Sequence, residues 1–203
     1  MNRPILITLK IIAWLACLWP LTYLLWGAVT NNLGADQIHT ITFTTGLATL
    51  RILTITLAIT PLRRLSPHLN WLIKFRRLLG LFAFFYASLH LLTYIALYAG
   101  FDVNAMVADI AKRRYITVGM AAWLLLLPLA ATSSNWAIRK LGGKRWNRLH
   151  KLVYVAAVCG VIHYWWQVKP GVRTPLTITI VLAVLLIARP IQEWMQLRKT
   201  RIA

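Results

Sequence analysis

Apolar residues in this chain come in long unbroken runs, not in strand-like alternation or narrow helical stripes. Six runs stand out: Ile11 to Trp26, Phe43 to Leu62, Leu78 to Tyr98, Tyr115 to Ala131, Leu152 to Val168 and Leu176 to Ile187. A helix satisfies its own backbone in lipid, and about 20 mostly apolar residues cross the hydrocarbon core. Each run is near or slightly under the length of a tilted span. The pattern predicts an all-α integral membrane protein, a six-transmembrane-helix bundle that fills residues 1–203 as a single domain. Breakers separate the runs: Gly34 after Asn31 and Asn32, Pro61 and Pro67, Gly100, Gly142 with Gly143, and Pro170 with Gly171. Between Asp102 and Arg114 the charge is mixed, and Val103, Met106, Val107 and Ile110 fall at helical spacing. This segment is either an interfacial helix or a plain loop. No repeat at a fixed period and no low-complexity tract is visible.

Composition agrees with lipid as the main solvent, since 59% of the 203 residues are hydrophobic and only 13% charged. The first run follows Arg3 and Lys10, as a signal peptide would. It continues through Trp26 without a small-residue cleavage site, so it is read as a true span. Cys17 and Cys159 lie inside apolar runs with no CxxC spacing, as buried thiols do.

A formal charge of +19 raises the question of nucleic acid, but the basic residues are placed otherwise. They cluster at the ends of the apolar runs: Arg63 and Arg64; Lys74, Arg76 and Arg77; Arg139, Lys140, Lys144, Arg145, Arg148 and Lys151; Arg198, Lys199 and Arg201. Topogenic charges belong there, so no nucleic-acid partner is predicted. With the N-terminus inside, 17 Lys and Arg fall on the cytoplasmic side, and only Lys112, Arg113, Arg114, Lys169 and Arg173 fall outside. Both termini are predicted to be cytoplasmic. Trp26, Trp71, Trp136, Trp146, Trp165, Trp166 and Trp194 lie near span ends, where indoles favour the headgroup region.

The four acidic residues, Asp36, Asp102, Asp109 and Glu193, sit outside the runs or at their margins, which argues against a carboxylate-based pump. Histidine is what the membrane contains. His90 lies in the third run and His163 in the fifth, two helices of the same direction, at 12 and 11 residues beyond Leu78 and Leu152. Two depth-matched imidazoles on parallel helices suit the two faces of one haem iron, and a bundle interior suits the apolar porphyrin. A single buried histidine would instead be read as an interhelical hydrogen bond. His150 marks the cytoplasmic start of the fifth run, about 20 Å from His163 along a helix axis. Opposite it the third helix carries Arg76 and Arg77, so a second, inner haem would have one histidine and an arginine, water or nothing opposite. The alternative there is another anionic cofactor, since Arg76 and Arg77 suit haem propionates, flavin or lipid phosphates. Arg51, in the outer half of the second run, either snorkels to headgroups or pairs with a propionate. Gly80, Gly119 and Gly160 could let a flat cofactor approach a helix backbone. His39 and His68 are read as solvated loop residues.

Several segments resemble one family along nearly the whole chain: TTG in the second run, ITPLRR at 59 to 64, RRLLG at 76 to 80, LHLLTY around His90, RRYITVG at 113 to 119, NRLHKLVY around His150 and IHYWWQVK around His163. They are similar to the MsrQ (YedZ) family, within the ferric-reductase-like transmembrane group. The resemblance implies a haem b membrane subunit of the bacterial inner membrane, serving the repair of methionine sulfoxide in periplasmic proteins. It implies electrons from the quinone pool or a cytosolic flavin reductase, delivered to a periplasmic molybdopterin-containing catalytic subunit as heterodimer partner. His90, His150 and His163 match the family's haem positions. FMN is implied as well, although no flavin fingerprint is visible. Arg76 and Arg77 depart from the paired-histidine pattern of NADPH oxidases and ferric reductases. Two other readings stay open: a stand-alone ferric or ascorbate-type reductase, and a transporter relaying protons through histidines.

Overall fold

The computed structural model describes residues 2–168 and 173–202, apart from the side chains of 193, 196, 197 and 199–202. Lys169, Pro170 and Gly171, and the side chains of Glu193, Lys199 and Arg201, therefore lie outside the described residues. In chain order the helices are α1 (Arg3–Val29), α2 (Gln37–Leu65), a 3-10 segment (Pro67–Phe75), α3 (Arg76–Thr93) ending in a π-helical turn (Tyr94–Tyr98), α4 (Val103–Lys112), α5 (Arg114–Ala131), α6 (Asn135–Leu141), α7 (Gly143–Leu149), α8 (Leu152–Gln167) and α9 (Thr174–Ile202).

Five of these runs are long and apolar enough to cross a membrane: α1, α2, the continuous stretch Pro67–Tyr98, α5 and α9. The predicted crossing at 152–168 is the one that falls short. As α8 it has 16 residues, about 24 Å of helix against a hydrocarbon core of about 30 Å. The shortening comes from a turn at His150 and Lys151, which separates α8 from α7. Pro61, predicted to break the chain, instead stands inside α2. Proline has no N–H to give to the carbonyl of Leu57 one turn back. Arg189 Nη2 of α9 takes that place, donating to Leu57 O at 2.5 Å, and Gln192 Nε2 donates to Pro61 O at 3.2 Å. The segment after Asp102 is a helix, not a loop: the Asp102 carboxylate accepts from the N–H groups of Asn104 and Ala105.

Several hydroxyls inside the apolar helices are satisfied locally. Thr45, Thr49 and Thr56 each donate to the carbonyl four residues earlier, as lipid requires of a polar side chain. The core gathers Leu53 and Leu57 of α2, Ala83 and Tyr86 of α3, and Ala156 and Ala157 of α8, all almost fully buried. Small residues here let helices approach closely. Tyr86 does more than fill space. Its hydroxyl donates to Cys17 O at 2.7 Å and accepts from Leu21 N at 3.2 Å, so it is wedged into the backbone ladder of α1 beside Pro20. Tyr86→Phe leaves both backbone groups without that partner and is expected to cost about 1–3 kcal/mol. Equilibrium unfolding in detergent measures it, and an unchanged midpoint would show that α1 closes its own ladder.

Candidate functional site

α2 packs chiefly on α3, and α5 chiefly on α8. Each pair holds one of the two intramembrane histidines. His90, near the end of α3, turns toward α2, where its Nδ1 lies 2.9 Å from Thr42 O and 3.5 Å from Thr45 Oγ1. His163 of α8 turns toward α5, with Nδ1 2.7 Å from Tyr115 O. A carbonyl only accepts, so each Nδ1 carries the proton and donates. That fixes the tautomer and leaves each Nε2 lone pair available, the usual arrangement of a metal-binding imidazole.

The two sites repeat one another. The carbonyl that anchors each histidine lies 48 residues before it in both cases, and one turn further along the same helix stands a glycine. A Cβ on Gly46 would meet His90 Cε1 at 3.0 Å, and a Cβ on Gly119 would meet His163 Nδ1 at 2.7 Å. The imidazoles lie in the room that two absent methyl groups leave. Of the glycines read from sequence as cofactor approaches, Gly119 receives the His163 ring, Gly160 receives Leu50, and Gly80 has nothing within 4 Å. Gly46, against His90, is not among them.

The ring centroids of His90 and His163 are 5.8 Å apart and their planes 83° from each other. Two imidazoles on opposite faces of one iron, each about 2 Å from it, have centroids about 6 Å apart. The donor set therefore fits haem. Among the described residues no group of three or more His, Cys, Asp or Glu gathers as a bare metal centre would need. A pair of histidines suits an ion whose other donors arrive with the cofactor.

The inner residues are arranged differently. His150 caps α7, its ring stacked on Trp146 at 3.8 Å. Its Nε2 lies 3.1 Å from Thr132 Oγ1, and that hydroxyl lies 2.6 Å from Pro128 O. Thr132 gives its one proton to the carbonyl, so His150 Nε2 is the donor to Thr132 and its lone pair is not offered. Burial pushes His150 down to about 4, and the charge of Arg76 adds to the effect. The unfolded chain thus binds the extra proton first, and stability is lost as pH falls from about 6.5 toward 4. The fall in melting temperature over that window is expected to be smaller in His150→Gln. An equal fall in both proteins would discount the residue.

Arg76 is half-buried near His150, whereas Arg77 is exposed and donates to Asn135 Oδ1 at 2.6 Å. Arg51 is exposed and stands midway along α2, between Gln37 and Leu65. His39 and His68 are exposed, but they lie in the first turn of α2 and in the 3-10 segment instead of loops.

Residues 14–161 match the family described as ferric reductase like transmembrane component, a stretch that holds His90 and His150 and stops short of His163. The chain is 48% identical to a protein of Herminiimonas arsenicoxydans over 98% of its own length and 91% of the relative's. That relative is named protein-methionine-sulfoxide reductase heme-binding subunit MsrQ. The chain belongs to the MsrQ family. Other MsrQ proteins of the same printed name are 46% identical in Ralstonia nicotianae (95% of this chain, 88% of the relative) and 50% identical in Rhodospirillum rubrum (89% and 86%). As an MsrQ family member with several long apolar helices, it is a multi-pass protein of the bacterial inner membrane.

Proposed function

We propose that the protein is the haem b electron-transfer membrane subunit of a methionine sulfoxide reductase system, with His90 and His163 as axial ligands. The observation that carries this reading is the pair of imidazoles 5.8 Å apart, each with Nδ1 tied to a backbone carbonyl. The names of the relatives, all heme-binding subunits, support it. Bound there, haem supplies one-electron chemistry at its iron. The carbonyls of Thr42 and Tyr115 orient the rings and raise their basicity. Two protein ligands leave no open position for a substrate, so the residues favour transfer of electrons over catalysis at this site. On this reading the donor is the quinone pool or a cytosolic flavin reductase, and the acceptor a periplasmic molybdopterin-containing reductase.

The same reading makes α8 the sixth crossing of a single six-span domain, short enough to need thinned lipid or snorkelling flanking residues. The excess of Lys and Arg at the end carrying Arg64, Arg76 and Lys151 makes that end cytoplasmic. One haem is assigned. His150, Arg76, Arg77 and Arg51 remain candidates for a second cofactor or for haem propionates, and the FMN implied by resemblance is given no residues.

Reduced-minus-oxidised spectra of the purified protein, with haem quantified per chain, test the proposal. A b-type band at one haem per chain is expected, unchanged in number by His150→Ala. Absence of any such band would end the haem reading, and loss of one of two haems in His150→Ala would establish an inner site. Reduction of ferric iron or ascorbate radical without a protein partner would favour a stand-alone reductase.

A further inference from the structure

At the end of the bundle opposite the histidine pair, a cavity of about 360 Å³ opens between α2, α3, α8 and α9. Its lining includes Arg64, Arg76, Lys151 and Arg189, together with Thr60 and Tyr154. Arg64 of α2, Arg76 of α3, Arg189 of α9 and Lys151, just before α8, all line it. Two are braced within the bundle: Arg189 donates to Leu57 O and to Tyr154 Oη and lies over the Tyr154 ring, and Arg64 donates to Arg189 O at 3.4 Å. Arg76 begins α3 and Lys151 immediately precedes α8. Thr60 Oγ1 is buried in this lining with no hydrogen-bond partner among the described residues.

We propose that this cavity binds the phosphate group of a phosphate-bearing ligand. Phosphate offers several strong acceptor oxygens and, as a monoester, a charge of about −1.5 to −2. It matches converging guanidinium, ammonium and hydroxyl donors better than a single carboxylate does. The cavity sits at the ends of the spans, the level of lipid headgroups. Two sources share the chemistry: the headgroup of an anionic phospholipid entering from the bilayer, and a soluble phosphate monoester entering from water. The inference goes beyond the haem reading and does not depend on it.

Thermal unfolding of the full chain in neutral detergent, followed by tryptophan fluorescence, tests it. The probes are inorganic phosphate against chloride at matched ionic strength, and dioleoylphosphatidylglycerol against dioleoylphosphatidylcholine in mixed micelles. Saturating probe is expected to raise the melting temperature by roughly 5 °C. Arg76→Gln and Lys151→Gln should lose at least half of that rise, and Lys144→Gln, outside the cavity, should keep it. A rise with phosphatidylglycerol alone assigns a lipid, with inorganic phosphate alone a soluble ligand, and with both an open phosphate site. No rise with either probe, or an equal rise in an Arg76→Gln, Lys151→Gln double variant, overturns the proposal. A haem band retained in the variants shows that they fold, so loss of anion binding is distinguishable from loss of the haem site.

Discussion

His90→Ala and His163→Ala are each expected to reduce bound haem to under about a tenth of the wild-type content. The two rings lie 5.8 Å apart on opposite pairs of helices, so on the proposed reading either truncation removes one of two axial ligands and opens a hole beside the iron. Apolar contact with the porphyrin persists, but a ring without its second ligand is exposed to exchange and loses the low-spin spectrum of a bis-histidine haem. Pyridine haemochrome assay and reduced-minus-oxidised spectra of equal amounts of folded protein measure the effect. A bis-histidine spectrum surviving in either variant would refute the pairing.

Gly119→Ala should act nearly as strongly without removing any ligand. Its new Cβ would lie 2.7 Å from His163 Nδ1 and 2.9 Å from Cε1, and the ring is held there by the bond to Tyr115 O. Either that bond breaks or the helices part, and both tilt Nε2 away from the iron. A 10- to 100-fold loss of haem affinity, about the cost of removing an outer-shell partner of a metal ligand, is expected as faster haem transfer to apomyoglobin. Gly46→Ala should be milder, since its contacts with His90 begin at 3.0 Å. Gly80→Ala meets nothing and is the control, because alanine in place of a helical glycine usually stabilises by about 0.5–1 kcal/mol. Equal haem retention in Gly119→Ala and Gly80→Ala would dismiss the steric argument.

Much of this was legible in the chain. Continuous apolar runs predict membrane helices because lipid demands internal backbone bonding, and the equal depths of His90 and His163 follow from counting along two such runs. What was not legible depends on contacts between helices. Hydrophobicity cannot report that Arg189 replaces the missing donor of Pro61, so the proline reads as a break. Nor can it report that Gly46 faces an imidazole, since a glycine within TTG looks like any small residue. Nor could the sequence report the immediate partners of His150, the hydroxyl of Thr132 and the indole of Trp146.

The matched anchors have a further consequence. Thr42, Gly46, Ala83 and His90 each precede Tyr115, Gly119, Ala156 and His163 by the same number of residues, and that offset also places Arg77 against His150. The bundle thus contains two like pairs, α2 with α3 and α5 with α8, each packed chiefly on its own partner and each carrying one intramembrane histidine. On the proposed reading each pair supplies one axial ligand, and neither pair alone supplies both. Among the described residues, one polar tie across the seam runs from Trp123 Nε1 to Ser88 Oγ at 3.1 Å. On the proposed reading a cofactor seated between the two rings would act as a keystone, drawing one ligand from each pair and tying the pairs together at the level of His90 and His163.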